Sequence, residues 1–133
     1  MPRIAHAVLD SQAGDACVIR ARRHTLTADE AASHGGTDTG PTPYETLVSA
    51  LAACTAITLR MVAQRKGWEL GAIHVEVELE KDAAGADRIA RTVSFGAPLN
   101  NEQRATLAEI AEKTPVTRVV RAGTEIRTTT GTA

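Results

Sequence analysis

The feature that most constrains this chain is one long helix whose start, end and sides can all be read from its residues. Thr42 can cap it, Pro43 suits the first helical position, and Glu45, three past the cap, completes a capping box. Gly67 can end it after Arg65 and Lys66. Between these ends Leu47, Val48, Ala50, Leu51, Ala52, Ala53, Cys54, Ala56, Ile57 and Leu59 put apolar atoms on nearly every side. Such a pattern predicts a helix buried all round rather than one with a solvent face. A chain of 133 residues has difficulty surrounding roughly six helical turns with its own sheet, so a second copy is expected to cover part of it. The helix alone therefore predicts a homodimer.

The remaining residues supply short strands and one further helix within a single domain, 1–133. Ile4 to Leu9, Ala16 to Ala21 and His24 to Thr27 read as a small meander, followed by a turn-rich loop from Ser33 to Pro41. From Ile73 to Glu80, Ile73, Val75, Val77 and Leu79 alternate with His74, Glu76, Glu78 and Glu80, which predicts a strand with one buried face. The loop from Lys81 to Asp87 returns as a strand through Ile89, Val93 and Phe95. Asn100 can cap a helix carrying Leu107, Ile110, Ala111 and Thr114 on one face until Pro115 stops it, and Thr124 to Thr129 reads as an edge strand. The fold class is α+β.

Charge and composition exclude several functions. Fifteen Lys and Arg against sixteen Asp and Glu leave no basic footprint for nucleic acid, and Phe95, Trp68 and Tyr44 are too few to stack bases. The longest uncharged run, Thr46 to Leu59, is shorter than the roughly 18 apolar residues of a membrane span. No apolar leader follows Met1, so no membrane partner and a cytoplasmic location are expected. His6, His24, His34 and His74 are too scattered for a metal signature, and the glycines lack phosphate-binding spacing. No metal and no cofactor are expected. Glu76, Glu78 and Glu80 read as surface charge on a solvated strand face.

Two cysteines remain. Cys54 lies mid-helix among Ala50, Leu51, Ile57 and Thr58, none of them charged. A free thiol is only a few per cent thiolate at neutral pH, and apolar burial lowers that fraction, so an inert core role competes with a chemical one. To act as a nucleophile Cys54 needs a cation from another segment, and Arg20, Arg22, Arg23 and Arg118 are the candidates. Cys17 reads as a small strand residue beside Ile19, with a resolving-thiol role as the alternative.

The segments Gly40-Pro41-Thr42-Pro43-Tyr44-Glu45-Thr46-Leu47, Ala52-Ala53-Cys54-Thr55-Ala56, Leu59-Arg60-Met61, Arg65-Lys66-Gly67-Trp68, Val75-Glu76-Val77-Glu78 and Thr114-Pro115-Val116-Thr117-Arg118, with Glu125 to Thr129, resemble the OsmC/Ohr family over most of the chain. The resemblance implies an OsmC-like fold, with antiparallel sheets wrapped around a long buried central helix in an intertwined homodimer. It also implies active sites at the subunit interface and reduction of hydroperoxides by Cys54. Arg118, Arg22, Arg23 and Glu45 are the candidates to hold the thiolate or orient the peroxide. Three departures stand out: Thr114 occupies the position of the family's resolving cysteine, Thr117 that of its histidine, and Tyr44 that of the acidic residue after the motif proline, with Glu45 one place later and its helix-cap role as the alternative. The expected activity is therefore one-cysteine reduction of an organic hydroperoxide with an external thiol reductant. The alternative is a non-catalytic dimer binding a small apolar molecule, with Cys54 as packing.

Overall fold

The computed structural model describes residues 2–131. They form two compact units, one ending at Ser49 and the other beginning at Ala50, with the long helix running through the boundary. In the first unit β1 (Val8–Asp10), β2 (Cys17–Ala21) and β3 (His24–Ala28) make an antiparallel sheet in sequence order. Ile19 of β2 stands opposite Leu9 on one side and Leu26 on the other. The first strand is shorter than the apolar pattern from Ile4 predicts: residues 2–7 are exposed and join no ladder. Arg22 and Arg23 make the turn between β2 and β3, Arg22 with a φ of 55°.

A buried carboxylate organises the loop that follows. Asp29 is 2% exposed, and its oxygens accept the backbone N–H of Glu30 at 2.7 Å, the Thr37 hydroxyl at 2.5 Å, and the N–H and hydroxyl of Thr39 at 3.1 and 2.7 Å. Its own N–H donates to Pro41 O at 3.1 Å, so the loop, with its 3-10 turn at Ala32–His34, folds back on the end of β3. The closeness needs glycine at 36, where a Cβ would lie 2.0 Å from Glu30 O. The loop thereby delivers Thr42 to the start of α1 (Pro43–Lys66), whose predicted bounds the structure reproduces. Thr42 Oγ1 accepts the Glu45 N–H at 3.1 Å and Glu45 Oε1 accepts the Thr42 N–H at 2.9 Å, the reciprocal capping box expected.

The second unit holds the rest of α1, the hairpin of β4 (Ile73–Lys81) and β5 (Asp87–Phe95), α2 (Asn101–Ala111) and α3 (Pro115–Ala122). The β4 alternation is as predicted, with Ile73, Val75, Val77 and Leu79 half-buried and the residues between exposed. Leu59, Ala63, Leu70, Leu107 and Ala111 make the core, with Trp68, Ile73, Val93, Phe95, Leu99 and Ile110 packed against it. Asn100 caps α2 through a capping box with Gln103. At Gly71, φ is 66° and a Cβ would lie 2.8 Å from Ala97 N, so only glycine lets this turn bond to the end of β5.

Three expectations are corrected. Pro115 does not merely stop a helix: α2 ends at Ala111, Thr114 caps α3, and Pro115 occupies the first turn, where its missing N–H is not needed. Thr124 to Thr129 is exposed and irregular, because a strand needs a ladder partner and none of the described residues supplies one. Within the chain α1 is buried along one stripe, Leu51, Thr55, Leu59 and Ala63, and not all round. By length and composition α1 also reaches what a membrane span requires once its flanking charges are tolerated, although its Leu59 and Ala63 sit in the protein core.

Replacing fully buried Leu59 by Ala is expected to lower unfolding free energy by about 2–5 kcal/mol in urea titration. The hydroxyls of Thr37 and Thr39 hold the Asp29 carboxyl well below its ordinary pKa of 3.8. A depressed carboxyl contributes stability that is present above the unfolded-state pKa and lost as pH falls toward the folded one. Asp29→Asn is therefore expected to lower the urea midpoint at pH 7 and to flatten the fall in stability below about pH 4, leaving the interval from 5 to 7 without slope from this group.

Candidate functional site

Cys54 lies on a different face of α1 from the core stripe. Ala50, Cys54, Ile57 and Met61 follow the three-and-four spacing of one helix face, and Ile57 is 60% exposed and Met61 46%. Cys54 itself is half-buried, with Thr58 Oγ1 3.9 Å from its sulfur one turn on. Cys54 thus sits mid-face on an apolar surface that its own chain leaves largely uncovered. Among the described residues, no arginine or carboxylate bonds its sulfur. Both Cys54 and Cys17 are free thiols, and Cys17 pairs with Ala28 across β2 and β3.

The other sequence candidates have separate places. Glu45 is held in the capping box of α1. Arg22 and Arg23 form the β2–β3 turn, and Arg20 pairs with Asp10 at 3.1 Å. Arg118 is exposed on the first turn of α3. Thr114, at the position of the family's resolving cysteine, is fully buried, and its hydroxyl accepts the Thr117 N–H at 3.2 Å.

What the structure does bring together is a cluster around Arg91, which sequence reasoning missed. Arg91 is on β5, yet its side chain is only 11% exposed. Nη1 donates to Thr55 Oγ1 of α1 at 2.9 Å and to Thr117 Oγ1 of α3 at 3.0 Å, and Nη2 donates to Ala111 O, at the end of α2, at 2.8 Å. The hydroxyl protons also find acceptors. Thr55 donates to Leu51 O at 2.7 Å, and the Thr114 and Thr117 hydroxyls lie 2.6 Å apart with Ala111 O 3.3 Å from Thr117 Oγ1. One guanidinium therefore joins three helices to a strand. The available signal was period two: Ile89, Arg91, Val93 and Phe95 share the inward face of β5, which makes Arg91 a cation on an apolar stripe.

Glu112 lies 3.9 Å from Arg91 and is bonded by Arg121, whose guanidinium holds the Glu112 carboxyl below its ordinary range. Arg91 and Glu112 border a cleft of about 260 Å³ between β5, α1 and α2, lined also by Leu59, Val93, Phe95, Leu107 and Arg104.

Two antiparallel sheets, a long helix bearing a mid-helix cysteine, and a short helix begun by Thr114-Pro115 define an α+β protein of the OsmC-like fold. Residues 36–129 match the family model described as OsmC-like protein, and the chain belongs to that family. Among solved structures it is similar to an OsmC-like protein from Mycoplasma pneumoniae, with 16% identity, a TM-score of 0.77, and 91% of this chain and 89% of that one covered. It is also similar to the organic hydroperoxide resistance protein OhrB of Bacillus subtilis, with 26% identity, a TM-score of 0.60, and 90% and 91% covered. A third, from Psychrobacter arcticus, is described as a putative osmotic stress induced and detoxification response protein, with 15% identity, a TM-score of 0.75, and 89% of each chain covered. No curated protein matches the sequence.

Arg91→Ala leaves the Thr117 hydroxyl and Ala111 O short of a charged donor, and is expected to cost about 2–3 kcal/mol in denaturant titration. Thr114→Ala removes the α3 cap and is expected to cost about 1 kcal/mol, with Thr114→Ser recovering most of it.

Proposed function

We propose that the protein reduces organic hydroperoxides through Cys54, by one-cysteine chemistry completed by an external thiol. The observation that carries this reading is Cys54 at the middle of an apolar, largely uncovered helix face, in a chain of the OsmC-like family. Family neighbours named organic hydroperoxide resistance proteins support it. The Cys54 thiolate attacks the terminal peroxide oxygen, the O–O bond breaks, and the alkoxide leaves and takes up a proton as the alcohol, leaving a sulfenic acid. An external thiol then attacks that sulfur and releases water, and a second thiol frees Cys54 from the mixed disulfide.

A homodimer belongs to the same reading. Ala50, Ile57 and Met61 flank Cys54 with apolar surface that a second copy of the helix would cover, enclosing the thiol and supplying a cation from Arg118, Arg22 or Arg23. A cytoplasmic, thiol-reducing compartment suits a mechanism that needs an external reductant.

A specific observation favours a second reading. Thr114 and Thr117 are buried and bonded to one another, so the position of the resolving thiol serves packing. In that case the dimer binds a small apolar molecule and Cys54 is part of the wall.

Cys54→Ser is expected to abolish peroxide consumption in a coupled thiol assay, and cumene hydroperoxide should turn over faster than hydrogen peroxide because apolar walls favour an alkyl or aryl body by about 25 cal/mol per Å² buried. Thr114→Cys should raise turnover with a dithiol and show two thiols lost after peroxide, provided its Cα comes within the roughly 4.4 to 6.8 Å of that of Cys54 that a disulfide requires. Rates at background for wild type and both variants select the binding reading. Sedimentation is expected to give a dimer at micromolar concentration, and a persistent monomer would remove the shared site.

A further inference from the structure

We propose that the cleft between β5 and α2 in the second unit binds a small monocarboxylate with a short aliphatic tail. The first argument is the state of Arg91. A cation this deeply buried is ordinarily paired with a carboxylate, because neutral acceptors replace its hydration only in part. Here its hydrogen bonds all go to hydroxyl and carbonyl oxygens, and its ion-pair partner, Glu112, lies at the long distance of 3.9 Å and is shared with Arg121. Arg91 Nε has no protein partner among the described residues. Arg91 itself lines the cleft.

The second argument is the company Arg91 keeps. Arg104, on α2, lines the same cleft; its Nε donates to Leu99 O at 3.3 Å, and both terminal nitrogens lack a protein partner among the described residues. Arg91 and Arg104 line the cleft with Glu112, whose charge is already met by Arg121, so the site carries an excess of positive charge. That excess suits an anion, and a carboxylate meets guanidinium groups in a planar, paired geometry.

The third argument is shape. Leu59, Val93, Phe95 and Leu107 make the remaining wall, so the neutral end of the ligand is hydrocarbon. A volume of about 260 Å³, against the ~150 Å³ of a cavity that takes benzene, has room for a chain of roughly ten non-hydrogen atoms. Octanoate has this size and charge. The site is separate from the Cys54 side chain and does not rest on the peroxidase reading.

Calorimetric titration of the wild-type protein with octanoate, octanol and octyl phosphate tests the proposal, alongside Arg104→Gln, Ala108→Phe and Cys54→Ser. Octanoate is expected to saturate with Kd below about 1 mM, and octanol or Arg104→Gln to weaken binding by about tenfold. Ala108→Phe, an exposed position that fills the cleft mouth, is expected to abolish binding while the melting curve stays as in the wild type. Cys54→Ser should bind octanoate as the wild type does, whether or not the peroxidase reading survives. The proposal is overturned by unsaturable octanoate binding, by octanol or octyl phosphate binding as tightly, or by unchanged affinity in Arg104→Gln or a folded Ala108→Phe. Loss of binding in Cys54→Ser would overturn it as well, since octanoate would then be reporting the thiol site.

Discussion

The second unit depends on one buried guanidinium. Arg91 reaches from β5 to Thr55 on α1, Thr117 on α3 and the last carbonyl of α2, so the mutual placement of four elements is set by hydrogen bonds from a single side chain. Removing an arginine from water is costly unless donors and acceptors match, and the match fixes where each helix end can lie. It also accounts for the buried threonines. Thr55, Thr114 and Thr117 are all at most 6% exposed, and their hydroxyls serve one another, Arg91 or a helix carbonyl. A cluster so interdependent is sensitive at every member, because the loss of any one leaves a buried partner unpaired.

This arrangement bears on the thiol through the geometry of α1. Thr55 faces the Arg91 cluster and belongs to the buried stripe, so its neighbour Cys54 is turned about 100° away, onto the apolar face with Ile57 and Met61. One helix thus presents a packed side to its own unit and an open apolar side carrying the sulfur. The Asp29 loop matters at the other end of the helix, where it sets the approach of Pro41 and Thr42 and hence the start of the capping box. The departure at Thr114 is also structural in character: the hydroxyl there caps α3 while supporting Thr117, two tasks that a thiol, as a weak donor and acceptor, performs poorly.

Much of this was legible from the residues because the deciding interactions are local. The bounds of α1 follow from Thr42, Pro43, Glu45 and Gly67, all acting within a turn of the helix ends. The β4 alternation and the Asn100 cap are equally local, and both appear where the pattern puts them. The segments from Gly40 to Leu47, around Cys54, from Arg65 to Trp68 and from Thr114 to Arg118 together carry the resemblance to the OsmC/Ohr family, and residues 36–129 match its model. The failures have a common cause. Thr124 to Thr129 has the composition of a strand, but a strand exists only with a partner, and composition does not provide one. The sequence also read Pro115 as an end, although the same fixed φ that stops one helix suits the first turn of the next.

By itself, then, the sequence determined the elements whose energies are set within a few residues: the long helix, its caps, the alternating strand and the mid-helix position of Cys54. Only the tertiary structure decided which side of that helix is buried, and that Arg91 rather than any arginine near the termini is the cation gathered into the core. Helix periodicity could not choose between faces that are both apolar. Nor could it announce Arg91, whose role comes from acceptors 20 to 36 residues away in the chain, brought within 3.0 Å only when the helices pack against β5.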